Sequence, residues 1–393
     1  SGMLNHTYAE RERDPIEDTT YTGEPLTIAP TGRDNGNRTV EGTDYTVSFT
    51  GNTNVGTASL TITGIDNFTD TKTIGFDIVA ASPDVRFTDI TKTYGDAPFS
   101  LSATSSNTSS MVYTVSDTNV ATVSGNTITI VGAGTTSVTL TQVEDANYRA
   151  ATATMTLQVN KTNTTLATTI SDVTKLFSDP SFAQTATSSS TGAFTYSSSN
   201  TDVIVLSTTA TTTTSKTVSH TIAGAGTSII TVSQAADANY NAATVSYTVT
   251  VTKANPNLSA ISDITKTYGA ADDTVVNTLS TTTAIQYSSS NPSVVQIAST
   301  EVGSDTQTAT LSFTGVGTAI VTATLSETAN YESATTSFTV TVNKATPTLS
   351  GFADITKTYG DADFSLVQPT SNSDGSFTYA SSNTATATIT GDK

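Results

Sequence analysis

An all-β chain of tandem sandwich domains is what this sequence predicts, and three observations predict it. A unit of some 80–90 residues is written several times: ITKTYGD covers Ile90–Asp96 and Ile355–Asp361, ITKTYGA covers Ile264–Ala270, and a degenerate VTKLFSD covers Val173–Asp179. Apolar and polar residues alternate with period two in short runs, as half-buried strands require. Turn signals separate the runs, and none has helical periodicity.

The elements follow in order. Residues 1–19 are charge-rich (Glu10-Arg11-Glu12-Arg13-Asp14) and read as a tail or tether. Residues 20–81 read as a small all-β domain through Tyr21–Pro30, Glu41–Phe49, Asn54–Gly64 and Thr71–Val79. Repeats follow over 82–160, 161–252 and 253–344, and an incomplete one over 345–393. Four markers keep constant order in them. These are the aromatics Tyr94, Phe177, Tyr268 and Tyr359; an Asn after Ser-rich sequence (Asn119, Asn200, Asn291, Asn383); Gly-x-Gly at Gly132/Gly134, Gly224/Gly226 and Gly315/Gly317; and Asn-Tyr at Tyr148, Tyr240 and Tyr331.

Within a repeat, Met111–Val115, Phe194–Ser198, Ile285–Ser289 and Phe377–Ser381 supply one strand. Val120–Val131 folds back at Ser124-Gly125-Asn126 as a hairpin. The second and third copies insert 11 residues there, through Thr208–Lys216 and Ser299–Thr306. Thr135–Gln142 is the next strand, and Ala151–Val159, Val245–Val251 and Thr336–Val342 are long closing strands. About seven strands per unit is the profile of an immunoglobulin-like β-sandwich. Joints near Lys161, Lys253 and Lys344, with Pro256 and Pro347, are short and stiff, which favours an extended rod.

Composition excludes several functions. The chain has 34 acidic and 16 basic residues and a net charge of −18, a field that repels phosphate backbones, so no nucleic-acid partner is expected. With no Cys and two distant His, His6 and His220, most nucleophile–base pairs cannot be built, and no enzyme is expected. No apolar run reaches the roughly 20 residues that span a bilayer, so no direct membrane insertion is expected. Ser and Thr make up roughly a third of the chain, which suits exposed pleated strands.

Val120–Tyr148, following ITKTYGD, resembles the tandem bacterial immunoglobulin-like repeats (Big/MBG type) of large surface adhesins, repeats also seen in phage fibre proteins. Tyr21–Val79 resembles a companion β-domain of such proteins. The second copy departs from the pattern with Leu176-Phe177-Ser178. The resemblance implies a non-enzymatic structural or adhesive stalk that spaces or displays a binding domain. It implies an extracellular place on a cell surface, or alternatively on a virion. The partners it implies are other domains of a longer chain or fibre, with host-surface or environmental glycans and proteins as ligands.

Particular residues carry further expectations. Tyr148, Tyr240 and Tyr331 read as anchors of the tyrosine-corner kind, ring in the core and hydroxyl on backbone. Tyr113, Tyr196, Tyr287 and Tyr379 read as core residues. The Gly-x-Gly pairs read as tight turns rather than phosphate loops, since no helix follows and no Lys is placed to meet a phosphate. Asp89, Asp96, Asp145, Asp237, Asp263, Asp354 and Asp361 gather near the joints, where calcium is the cofactor hard oxygen ligands would suit; turn capping is the competing reading. No other cofactor is expected. Lys92, Lys175, Lys266 and Lys357 read as solvated strand lysines. Thr208, Thr212, Lys216, Glu301 and Asp305 mark the expanded hairpins as binding loops. The sequons at Asn67, Asn107 and Asn163 carry no weight in so Ser/Thr-rich a chain. The unit at 345–393 lacks a Gly-x-Gly, an Asn-Tyr and a closing strand, which points to a fragment of a longer fibre, head-to-tail strand exchange with another chain, or a disordered tail.

Overall fold

The computed structural model describes residues 16–30, 33–34, 37–66, 68–278 and 283–391. Nearly all of the charged tail, His6 and the Asn67 sequon therefore lie outside the described residues.

Among the described residues all regular structure is β. In the first repeat, Gly134–Gln142 lies between Met111–Val115 and the closing strand Ala151–Asn160, all antiparallel. Ile90–Thr93 adds to the far side of the closing strand in parallel, Ile90 opposite Leu157 and Thr93 opposite Asn160. A second sheet of Ala121–Ser124, Thr127–Ile130 and Phe99–Ser100 faces it. The alternation explains the packing. Along Gly134–Gln142, Thr136, Val138, Leu140 and Gln142 point inward and are buried, while Thr135, Ser137 and Thr141 face solvent. Val138, Ile128, Leu157 and Val159 form the centre of the core. Each such side chain contributes about 1.5–3 kcal/mol on burial.

The second and third repeats have the same arrangement. Their four-stranded sheets run Val173–Leu176, Ala243–Thr252, Gly226–Gln234, Phe194–Ser198 and Ile264–Thr267, Ala334–Asn343, Gly317–Leu325, Gln286–Ser289. The fold is thus all-β with tandem immunoglobulin-like sandwiches. The residues inserted in the later copies lengthen the hairpin strands instead of forming a loop: Ile204–Thr211 pairs with Ser215–Ile222, and Val295–Val302 with Thr306–Phe313. One register shift in each, at Thr208/Ala210 and Ile297/Ser299, absorbs the odd residue.

Without disulfides, buried amides clip the sandwiches. Gln142 Nε2 donates to the Asn107 and Ser109 carbonyls, and its Oε1 accepts from Ser105. Gln234 does the same with Ser190, Gly192 and Ser188. In the third repeat that place is Leu325, and Gln307 serves instead, bonding both backbone groups of Ile285. Each of these amides both donates and accepts, which offsets the cost of burying it.

The amino-terminal domain has a four-stranded sheet, ordered Thr19–Thr20, Thr71–Val79, Gly56–Gly64, Tyr45–Thr50, over a core of Ala58, Leu60, Phe76 and Ile78, and a small ribbon of Arg33–Asp34 with Asn37–Arg38. Tyr21–Pro30, expected as a strand, has none. Pro25, Pro30 and a positive φ at Gly23 break the ladder, and Tyr21, Leu26 and Ile28 instead lay their side chains on that core. Phe377–Ser381 also forms no strand. Over 345–393 the described residues pair only Leu349–Ser350 with Thr370–Ser371, Tyr359 is fully exposed, and no core cluster forms. The physical reason lies in the other repeats. There, this strand and the ITKT strand pair with the Gly-x-Gly strand and the closing strand, which residues 345–393 do not contain.

Candidate functional site

The three boundaries between consecutive complete domains share one construction. The turn before each closing strand is preset by a side-chain acceptor. Asp145 Oδ1 accepts the Asn147 and Tyr148 amides at 2.8 Å each, and Asp237 Oδ1 those of Asn239 and Tyr240 at 2.8 Å. In the third repeat Thr328 Oγ1 replaces the carboxylate, at 3.3 and 3.0 Å. Such Asx- and ST-turns stiffen the backbone locally. The incoming linker is clamped to the same turn: the amides of Ala81, Thr162 and Ala254 donate to the carbonyls of Asn147, Asn239 and Asn330.

The Asn side chains then reach into the preceding domain. Asn239 Oδ1 accepts the Ala133 amide at 2.8 Å, and Asn330 Oδ1 the Ala225 amide at 2.8 Å. These are the middle residues of the Gly-x-Gly motifs. A Cβ on Gly132 or Gly224 would stand 3.3 Å from that Oδ1 and 2.6 Å from the carbonyl of Asn119 or Asp202. Gly134 and Gly226 have φ of +153° and +145°. Glycine is needed at both flanks, one for space and one for backbone shape. At the first boundary Asn54-Val55-Gly56 takes the part of Gly-x-Gly, with Asn147 Oδ1 accepting from the Val55 amide at 3.0 Å and Asn147 Nδ2 meeting Asn54 Oδ1 at 3.3 Å.

An edge-to-face ring pair completes each joint. Tyr148 meets Tyr21 at 5.3 Å, Tyr240 meets Tyr94 at 5.6 Å, and Tyr331 meets Phe177 at 5.4 Å, with interplanar angles of 87°, 74° and 78°. So Tyr148, Tyr240 and Tyr331 are half-buried and pack across the joint against the neighbouring domain, where a corner anchor would turn into its own core. The constant aromatic of ITKTYGD and the Gly-x-Gly are the two walls of a socket, and the Asn-Tyr is its plug. The sequence shows all four markers but not that they meet, since the bonded partners are 92 to 106 residues apart.

Placement within a sandwich matters. The socket lies at the start of the strand Gly134–Gln142, and the plug five residues beyond its end. A nine-residue strand spans about 30 Å. Socket and plug therefore sit at opposite poles of each domain, and the domains join head to tail.

The carboxylates suggested for calcium are engaged elsewhere. Asp96 Oδ2 accepts the Thr93 amide, Asp361 Oδ2 that of Thr358, Asp89 Oδ1 that of Thr156, and Asp263 Oδ1 that of Thr339. Asp354 is exposed. Among the described residues no three acidic or histidine side chains converge. Asp237 also accepts from Ser190 and Thr191 through Oδ2. Desolvation pushes its pKa up, but the amides of Thr191, Asn239 and Tyr240 outweigh it and hold the carboxyl well below the usual range.

Among the hairpin residues, Thr208, Thr212, Glu301 and Asp305 are exposed near the tips. Lys216 is not free there: its Nζ donates to the Phe194 carbonyl and lies over the Tyr196 ring. The Tyr196 hydroxyl donates within the sandwich to Gln184, and burial pushes its pKa up to about 12. Lys92, Lys175, Lys266 and Lys357 each sit over a ring, of Phe99, Phe182, Phe313 and Phe364, at 4.6–5.8 Å. That cation–π placement is absent from a reading of solvated lysines. His220 is fully buried, stacked on Phe182 and 2.5 Å from the Tyr247 hydroxyl, and its Nδ1 has no hydrogen-bond partner. Burial lowers its pKa.

No family model and no curated protein matches the chain. Solved structures resemble it: Sidekick-1 immunoglobulin domains 1–5 (13% identity over 84% of this chain and 79% of that one, TM-score 0.27). Others are the surface-layer protein SbsC (12%, 82% and 51%, TM-score 0.25) and an I-band fragment of titin (12%, 68% and 100%, TM-score 0.25). The sandwich assignment rests on the strand pairing above and not on these values.

Proposed function

We propose that the chain is a non-enzymatic spacer: a stalk of head-to-tail sandwiches that holds a binding domain away from the surface it is fixed to. The observation that carries the reading is the plug-and-socket joint, repeated at three successive boundaries: each time an Asn Oδ1 accepts a backbone amide of the preceding domain and the following Tyr meets an aromatic ring there edge to face. A chain selected for spacing needs reproducible joints at opposite poles, and little else of its surface is constrained. The resemblance of Val120–Tyr148 to adhesin repeats supports an extracellular, cell-surface place, with a virion fibre as the alternative built from the same parts.

Modularity gives the test. Deleting residues 161–252 brings the socket of Tyr94 and Gly132–Gly134 to the plug Asn330-Tyr331. The shortened chain should fold and, in electron micrographs of single particles, lose one domain length, about 30–40 Å. An unchanged length, or unfolding of the remaining repeats, would contradict a spacer.

A further inference from the structure

The third repeat carries a complete socket that none of the described residues fills. Gly317 has the same φ, +142°, as its counterparts in the filled sockets, and Gly315 is closed against the Ser293 carbonyl as Gly132 and Gly224 are against theirs. The Val316 amide, equivalent to those of Ala133 and Ala225, has no partner among the described residues. Tyr268, equivalent to Tyr94 and Phe177, is 51% exposed, and Val316 is 45% exposed. In the filled sockets Gly132 and Gly224 are buried, and their aromatic walls are half-buried.

We infer that Gly315-Val316-Gly317 and Tyr268 form a docking site for the Asn-Tyr turn of another sandwich of this kind. The site continues an established interface: the equivalent backbone donor, flanking glycines and aromatic wall are occupied twice, by Asn239-Tyr240 and Asn330-Tyr331. The occupant must offer an amide oxygen to one backbone N–H and an aromatic edge to one ring. The middle residue of the motif varies between Val and Ala at filled sites, so Val316 does not disqualify the site. The inference rests on the joint geometry and survives even if the chain is not a stalk.

The test uses the full chain, isotope-labelled, titrated with the hexapeptide Asp-Ala-Asn-Tyr-Asn-Ala, the sequence of residues 237–242. The Val316 amide resonance should shift saturably, while those of Ala133 and Ala225, already bonded, stay in place. The peptide with Ala for the Asn that precedes Tyr should bind at least tenfold more weakly, and so should the Tyr268→Ala chain with the original peptide. Tyr268 is exposed, so that variant keeps its fold, which the unchanged remainder of the spectrum checks. An unmoved Val316 amide, or an equal shift with the Ala-substituted peptide, overturns the docking site. A self-association that broadens Val316 without peptide would show that a second copy is the occupant, and would overturn the assignment to an Asn-Tyr turn, since all three in this chain are engaged.

Discussion

Asn239→Ala isolates one joint. The substitution leaves the turn intact, because the Asn239 backbone still donates to Asp237 and accepts from Thr162. What disappears is the 2.8 Å bond from the Ala133 amide. A neutral hydrogen bond of this kind is worth about 1 kcal/mol net, so the open state of the joint should gain about fivefold in population. Adding Tyr240→Ala removes the ring pair with Tyr94, worth about another 1 kcal/mol beyond its buried area, for roughly thirtyfold in all. The two residues are adjacent and share one interface, so their effects need not add. Because the chain has no cysteine, spin labels attach cleanly at two engineered thiols, Thr122→Cys and Ser246→Cys, both exposed and on opposite sides of the joint. The interlabel distance distribution should be narrow in the parent, broader in Asn239→Ala and broadest in the double variant. Identical distributions in all three would show that these side chains do not set the joint.

Other outcomes follow from single sites. His220 has its pKa lowered by burial, so the unfolded state binds a proton more readily than the folded one. The second repeat is thus at full stability above pH ~6.5 and weakens as pH falls below it, by up to about 1.4 kcal/mol per unit. Hydrogen-exchange protection factors, corrected for the intrinsic rate, should fall at Val218 and Ile230 at pH 5 while those in the cores of the first and third repeats hold, and His220→Leu should abolish the difference; a uniform response in all repeats would contradict this. Gly224→Ala forces a Cβ to 2.6 Å from the Asp202 carbonyl and toward Asn330 Oδ1. It should cost about 1–3 kcal/mol in denaturant unfolding of the second repeat and loosen the joint to the third. A silent substitution would show that the close approach is relieved at no cost.

The sandwiches were legible because period-two alternation reports directly on which face of a strand is buried, as in Thr136, Val138 and Leu140. The head-to-tail repetition was legible from the markers alone. What they are for was not. An Asn-Tyr before a last strand reads equally as a corner turned into its own core, and only packing of two folded domains brings Asn239 to Ala133, 106 residues away. The lysines of ITKT look solvated for a similar reason: the rings beneath them come from other strands, Phe99 and Phe182 across one turn but Phe313 from the hairpin of the opposite sheet. His220 is a single substitution in one copy, and a repeat pattern carries no information about a residue that does not repeat. Tyr21–Pro30 misled because its apolar residues do reach the core, yet Pro and Gly deny it a ladder.

If the stalk reading holds, rigid joints at opposite poles make the chain long. Four complete domains set end to end give a length of about 150 Å and a radius of gyration of about 40–45 Å, whereas a compact globule of this many residues has about 21 Å. Small-angle X-ray scattering of the intact chain decides between them. A radius above about 40 Å with a maximum dimension of at least about 150 Å is the predicted result; a value near 21 Å would contradict the account.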